Sequence, residues 1–309
     1  MRQRLLIAAA IGMVSATLCW LVLTNFQRDG GDFTWAVRAA RDLLAGRDPY
    51  NHPFHEYAIP YPLPAAFVGL PFAGLPDELA GALFFGISSA LLAFGLTKHG
   101  YGRLLIFLAY PYWDALLCVQ WSPLIMAAAF LPALLPIVLV KPHIALPVAL
   151  THLNRRGIIL SAIVAAASIA VLPNWPLHWL SQLGSYQRFF PVLLIPGPLL
   201  LLALLRYREQ EARLLVLAAL MPQRWIYDSF ILWLVPKQPR AILVTAVLSW
   251  GSWLWRSFFP FHTIEQVGTT VVICCYIPML GAVLARRRAA EQHAGQDQDG
   301  TQIIVAEGI

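Results

Sequence analysis

The chain reads as a series of long apolar runs separated by short polar breaks, with one exception near its start. Residues 5–23 are apolar almost throughout, and about 20 such residues in a helix cross a bilayer. Residues 25–64 follow as the one long polar segment between the first and last apolar runs. Further runs cover 77–96, 104–119, 123–153, 158–172, 189–205, 214–235, 241–255 and 267–285. They are continuous rather than alternating, so they predict helices and not the strands of a barrel. The expected fold is all-α, a polytopic transmembrane helical bundle of roughly 8–10 helices.

Two runs do not read as straight spans. Residues 123–153 are broken by Pro132, Pro136, Pro142 and Pro147, and residues 214–235 are split by Gln223, Arg224 and Asp228. Irregular backbone at membrane depth is tolerated only where protein or a water-filled cavity covers it. Both stretches are therefore expected to wall a cavity. Inside the polar segment, Phe33, Ala36, Val37, Ala40 and Leu44 recur at helical spacing, with Thr34, Arg38, Arg41 and Asp42 opposite. This pattern predicts an amphipathic helix from Phe33 to Ala45, capped by Asp32, ended by Gly46 and lying flat on the membrane surface.

Composition agrees with a membrane chain. Of 309 residues, 59% are hydrophobic and 12% charged, where a soluble domain carries about 25% charged. The net charge of +6 does not indicate nucleic acid, because no basic cluster is interleaved with aromatics. The cations sit at the ends of apolar runs. Arg2, Arg4, Lys98, Arg103, Arg155, Arg156, Arg206, Arg208, Arg213, Lys237, Arg240, Arg286, Arg287 and Arg288 fall on one side when the runs alternate. Cytoplasmic loops carry such an excess, so both termini are expected in the cytoplasm and residues 25–64 outside. The first run exceeds a signal-peptide core of about 7–15 residues and reads as a retained helix. Cys19, Cys118, Cys274 and Cys275 lie within apolar runs and read as small packing residues without metal spacing. The domain division is a membrane domain over 1–288 and a polar tail over 289–309, expected to be a disordered cytoplasmic segment.

Several residues could carry chemistry. Asp32 is either a helix cap or a general base. Lys141 stands in an apolar run, where a charge is a functional signal unless it snorkels to an interface. His143 beside it could donate to a phosphate or be a satisfied buried histidine. Arg224 and Asp228 are spaced as an intrahelical ion pair, or else Arg224 holds a phosphate and Asp228 orients it. Asp114 is a further acid at the membrane with an open role. His52, His55 and Glu56 form H-x-x-H-E, which matches neither zinc-protease signature and reads as an exposed loop. Trp35, Tyr50, Tyr57 and Tyr61 could stack on sugars or anchor at the interface. Arg188 could meet a phosphate or a lipid headgroup.

The runs Gly31–Asp32–Phe33, Gly46–Arg47–Asp48–Pro49–Tyr50, residues 57–64 and Leu70–Pro71 resemble the start of the GT-C membrane glycosyltransferases. The likeness is nearest to glycosyltransferase family 87, which uses polyprenyl-phosphate mannose. Val119–Gln120–Trp121–Ser122 resembles that group's G-Q-x-N/S element, with Val119 where glycine is usual, and Lys141–Pro142 resembles its K-P element. The interval between the two is short for the group. The likeness covers residues 1–160 by motif and the remainder by layout.

The resemblance implies a GT-C-like fold and transfer of a sugar, mannose in the family, from a polyprenyl-phosphate donor to a lipid or glycan acceptor. Transfer would occur on the extracytoplasmic face of a bacterial-type plasma membrane, without metal or cofactor. Asp32 would be the base. Lys141, His143, Arg224 and Arg188 would hold the donor phosphate, and Tyr50, Tyr61, Gln120 and Asp228 would line the substrate. One carboxylate suffices, because a phosphate leaves as a stable anion, whereas a glycosidase needs two carboxylates. Two other classes compete. A transporter or flippase of a lipid-linked substrate suits broken helices, although no internal repeat is visible. A non-catalytic membrane scaffold suits the shortened middle.

The orientation has a direct check. A cysteine at Asn51 should react with a membrane-impermeant maleimide on intact cells, above the labelling of the unmutated protein. Labelling that appears only after lysis would invert the topology.

Overall fold

The computed structural model describes residues 1–51, 61–182 and 187–285. The described residues are helical but for turns and one isolated antiparallel bridge, Phe189 to Gln223. In chain order the α-helices are α1 (Arg2–Asn25), α2 (Thr34–Leu44), α3 (Pro64–Gly69), α4 (Asp77–Leu96), α5 (Tyr110–Cys118), α6 (Ser122–Ala128) and α7 (Pro142–Thr151). They continue as α8 (Arg155–Val171), α9 (Trp175–Ser181), α10 (Gln210–Leu220), α11 (Pro239–Ser249), α12 (Gly251–Phe258), α13 (Ile264–Val271) and α14 (Ile277–Leu284). Stretches of 3₁₀ helix fill Tyr101–Leu108, Pro132–Leu139, Gly197–Arg206 and Ile226–Leu234.

Among the described residues, three helices are long and apolar enough to cross a membrane: Arg2–Asn25, Asp77–His99 and Ile264–Leu284. A fourth joins them if Arg155–Val171 and Trp175–Ser181, bent by 89°, make one broken span. Other apolar runs are divided where prolines withdraw backbone donors. The run over 123–153 becomes α6, the 3₁₀ turn Pro132–Leu139 and α7, and the run over 214–235 becomes α10 and Ile226–Leu234. Those two breaks follow the sequence pattern. The run over 104–119 differs from its expected single span: it is a 3₁₀ stretch followed by the short α5. The exterior is apolar where helices face outward. Leu6, Met13 and Val14 on α1, Ile159 and Ile163 on α8, and Val244 and Val247 on α11 are all exposed.

α1 and α4 form the closest helix pair. Arg4, at the start of α1, donates to the Phe94 carbonyl (2.9 Å) and to Thr97 Oγ1 (3.2 Å) at the far end of α4, so the two run antiparallel. Small residues spaced four apart on both helices, Gly12 with Ala16 and Gly86 with Ala90, let the backbones meet. A Cβ at Gly86 would stand 2.6 Å from Ala16 Cβ and 2.7 Å from the Gly12 carbonyl.

α2 departs from its expected surface position. Trp35, Ala36, Val37, Ala39 and Ala40 are all buried, with α2 set against α3 and α4. Leu44, expected on the apolar face, is exposed, and Asp42, expected on the polar face, is buried and paired with Arg47 at 2.7 Å. The pattern was amphipathic because part of the polar face meets partners rather than water. Arg38 bridges Asp29 and Asp77, each at 2.9 Å, and Arg41 reaches Asp77 at 2.8 Å and the Leu75 carbonyl at 2.6 Å. The helix ends as the sequence predicts. Gly46 is left-handed (φ +69°), and the amides of Gly46 and Arg47 turn back to the Leu43 and Asp42 carbonyls. The expected tail over 289–309 lies outside the described residues, as do His52, His55, Glu56 and Tyr57.

Gly86→Val should wedge α1 from α4 and cost about 1–3 kcal/mol. The check is the apparent melting temperature in detergent. A value equal to that of the unmutated protein would rule out close contact at this crossing.

Candidate functional site

Two left-handed turns pack on each other and set the site. The first follows α1, where Gln27, Asp29 and Gly31 take φ of 52°, 38° and 58°. The second ends α5: the Val119 amide returns to the Leu116 carbonyl (3.3 Å) and the Gln120 amide to the Ala115 carbonyl (2.9 Å). This is a Schellman close, and its left-handed position is held by Val119 at φ +54°. Glycine is usual at that position in the resembling family, so the backbone keeps a glycine-type turn while the side chain is branched. A branched side chain in this conformation carries strain, and buried packing against Gly31 accompanies it. A Cβ added at Gly31 would meet Val119 Cγ2 and the Cys118 carbonyl, each at 2.7 Å. The residues after these turns, Asp32 and Gln120, are thereby brought face to face.

Asp32 does not cap α2. The residue before the helix is Phe33, no side chain caps the helix there, and Asp32 lies within the 3₁₀ turn Gly31–Phe33. Its Oδ2 instead accepts hydrogen bonds from the Tyr61 hydroxyl (3.2 Å) and from Gln120 Nε2. Among the described residues no hydrogen bond is made to Asp32 Oδ1.

The chain of contacts continues inward. Lys141 immediately precedes α7, and its side chain is only 2% exposed. Its amine donates to Gln120 Oε1 (2.7 Å) and to Asp228 Oδ1 (3.0 Å) and stands 5.0 Å from the Tyr227 ring centre. Lys141 therefore does not snorkel. Asp228, fully buried, accepts the Arg224 backbone N–H at 2.9 Å, with His143 Nε2 3.8 Å away. The expected i, i+4 ion pair is corrected accordingly: Arg224 offers its amide, and the ionic partner of Asp228 is Lys141. A helical i, i+4 pair cannot form, because the helix starts at Ile226, after Arg224.

The tyrosines are braces. Tyr50 and Tyr61 are buried, which corrects the interfacial anchoring expected for them. The Tyr50 hydroxyl donates to the Tyr61 carbonyl at 2.7 Å, and Trp35 packs against both rings. Burial, reinforced by neighbouring Asp48, pushes the Tyr50 hydroxyl well above its ordinary value and keeps it a neutral donor. Asp48 also reaches His178 at 3.2 Å, joining the connection after α2 to α9. Tyr50, Gln120 and Asp228, expected to line substrate, thus bond to other protein groups behind Asp32.

Arg188 is exposed and precedes Phe189, whose amide and carbonyl both pair with Gln223 at 2.8 Å. The antiparallel register sets Arg188 opposite Arg224. Gln223 is buried and donates to Tyr276, which donates to the Ala218 carbonyl at 3.1 Å. Asp114 is buried in α5, with one oxygen unpartnered among the described residues. It is not hydrogen-bonded to the Asp32 chain.

Sequence reasoning missed three features. Tyr227 beneath the lysine gave no signal, the left-handed turn sat at a valine, and Tyr61 was not linked to Asp32. Among the described residues no group of three or more His, Cys, Asp or Glu is placed to hold a metal ion. No family model, curated protein or solved structure matches the chain. The glycosyltransferase resemblance therefore rests on the sequence motifs alone.

Gly31→Ala and Gly46→Ala test the paired turns. Both residues are left-handed, but a Cβ at Gly46 meets nothing within 4 Å. Gly46→Ala should cost about 1–2 kcal/mol from conformation alone, and Gly31→Ala clearly more. Equal losses in melting temperature would dismiss the close approach of Gly31 to Cys118.

Proposed function

We propose that this chain is a GT-C-type membrane glycosyltransferase that moves a sugar from a polyprenyl-phosphate donor to a lipid or glycan acceptor, with Asp32 as general base. The observation that carries the reading is the state of the Asp32 carboxylate. One oxygen is held by two donors and, among the described residues, the other is unbonded, on a partly exposed residue in the turn that follows the first apolar helix. A carboxylate fixed in rotation, with one open oxygen, is the form a general base takes.

The acceptor hydroxyl would donate to Asp32 Oδ1 while its oxygen attacks the anomeric carbon. The bond from that carbon to the phosphate oxygen breaks, and the phosphate keeps the electron pair. The proton stays on Asp32, and no acid is required. Arg188 and Arg224, side by side across the bridge, suit the leaving phosphate, since a guanidinium fork matches phosphate oxygens. The apolar exterior suits the polyprenyl chain. The excess of cations at alternate run ends supports an extracytoplasmic site and cytoplasmic termini in a bacterial-type plasma membrane. Mannose is the sugar implied by the resemblance.

Asp32→Asn keeps the shape and can still accept from Tyr61, but it cannot take the acceptor's proton. Transfer from polyprenyl-phosphate mannose by the purified variant should fall about 100-fold or more, while the protein stays folded and loses only a few degrees of melting temperature from the weakened contact to Gln120. Near-normal transfer would remove Asp32 as the base.

A further inference from the structure

We propose that Lys141 is a positioning residue, which acts through Gln120 to set the rotation of Asp32, and that it does not hold the donor phosphate. This rests on the reading of Asp32 as base.

The argument turns on the polarity of hydrogen bonds. A lysine amine only donates, and a carboxylate only accepts. A glutamine amide has one end of each kind. Lys141 donates to Gln120 Oε1, so the Nε2 end must face the other way, where it donates to Asp32. Without the lysine the two ends of the amide lose their distinction. A flipped amide would set its oxygen against the Asp32 oxygens, and Oδ2 would lose one of its two donors. Asp228 fixes the lysine in turn, and the Arg224 amide fixes Asp228.

The same geometry argues against phosphate binding. The amine has two oxygen partners within 3.0 Å and a ring at 5.0 Å, on a side chain 2% exposed. Two of its three N–H groups are taken, and with the side chain this buried a phosphate could reach the third only by displacing packed neighbours such as Tyr227. Four chain segments supply the relay: the turn after α1, the turn after α5, the residue before α7 and the first turn of Ile226–Leu234. They reach Asp32 through Oδ2, and Oδ1 is the oxygen left for an incoming hydroxyl.

The test is the double variant Lys141→Met with Asp228→Asn, which removes both charges and leaves no lone buried ion. The full chain in detergent is assayed with polyprenyl-phosphate mannose, and its melting temperature is measured. A positioning role predicts kcat down about 10- to 100-fold, with the donor KM within about twofold. A donor KM raised tenfold or more at unchanged kcat would assign Lys141 to the phosphate and overturn the proposal. Unchanged kcat and KM would overturn it as well.

A second measurement is independent of turnover. Asp32 and Lys141 share no direct contact but bond to opposite ends of Gln120. The melting-temperature losses of Asp32→Asn and of the double variant should therefore fail to add when combined, by about 2 °C or more. Additive losses would overturn the coupling. If the unmutated protein transfers no sugar from any polyprenyl-phosphate donor, the base reading fails alone, and this cycle still decides whether Lys141 governs Asp32.

Discussion

A lysine amine withdrawn from water must be neutralised and bonded, and the interior of this protein is arranged around that requirement. Desolvating such an ion costs several kcal/mol, recovered only with a well-placed counterion and full hydrogen bonding. Asp228 supplies the counterion from 87 residues away, and Gln120 supplies a second acceptor. Local structure serves the pairing. The backbone bends where Lys141 precedes Pro142, so the amine is presented at a helix start, and the helical run is interrupted between Leu220 and Ile226, so that Asp228 lies in the first turn of the next helix and meets it. Breaking the pair from one side leaves an uncompensated ion, so its two members are expected to vary together.

A second line of force runs from the helix crossing to the same place. The glycine-mediated contact of α1 with α4 brings Asp77, at the head of α4, beside the connection after α1. Arg38 and Arg41 then fasten α2 to Asp77, and Arg38 also holds Asp29. The turn carrying Asp32 is thus clamped between a helix crossing and an ion cluster. It owes its position to packing some distance from the carboxylate itself.

The parts legible in the sequence were the local ones. Proline punctuation marked the broken stretches, glycine marked the end of α2, and the depth of Lys141 in an apolar run marked it as unusual. What spacing could not show was partnership. Asp32 looked like a cap because capping is judged from the next few residues, yet its partners lie 29 and 88 residues away. α2 looked like a surface helix because arginines on one face suggest water, whereas these arginines meet Asp29, Asp77 and backbone carbonyls. Gln120 entered only through a resemblance. Val119 concealed a turn that a glycine would have advertised.

The separation between Lys141 and Asp228 also has a meaning in time. Synthesis proceeds at about 5–20 residues per second, so the 87 residues between them take roughly 4 to 17 s to emerge. Throughout that interval the nascent chain holds a cation whose counterion does not yet exist. Until Asp228 arrives, packing the stretch around α7 into an apolar interior would bury an unpaired cation, so the stretch must stay hydrated or sheltered. The ion pair is therefore a late-closing latch on biogenesis. The full relay to Asp32 can form only once the chain has been made past Asp228, so a ribosome-bound fragment ending short of that residue holds Asp32, Tyr61, Gln120 and Lys141 without the carboxylate that fixes the lysine.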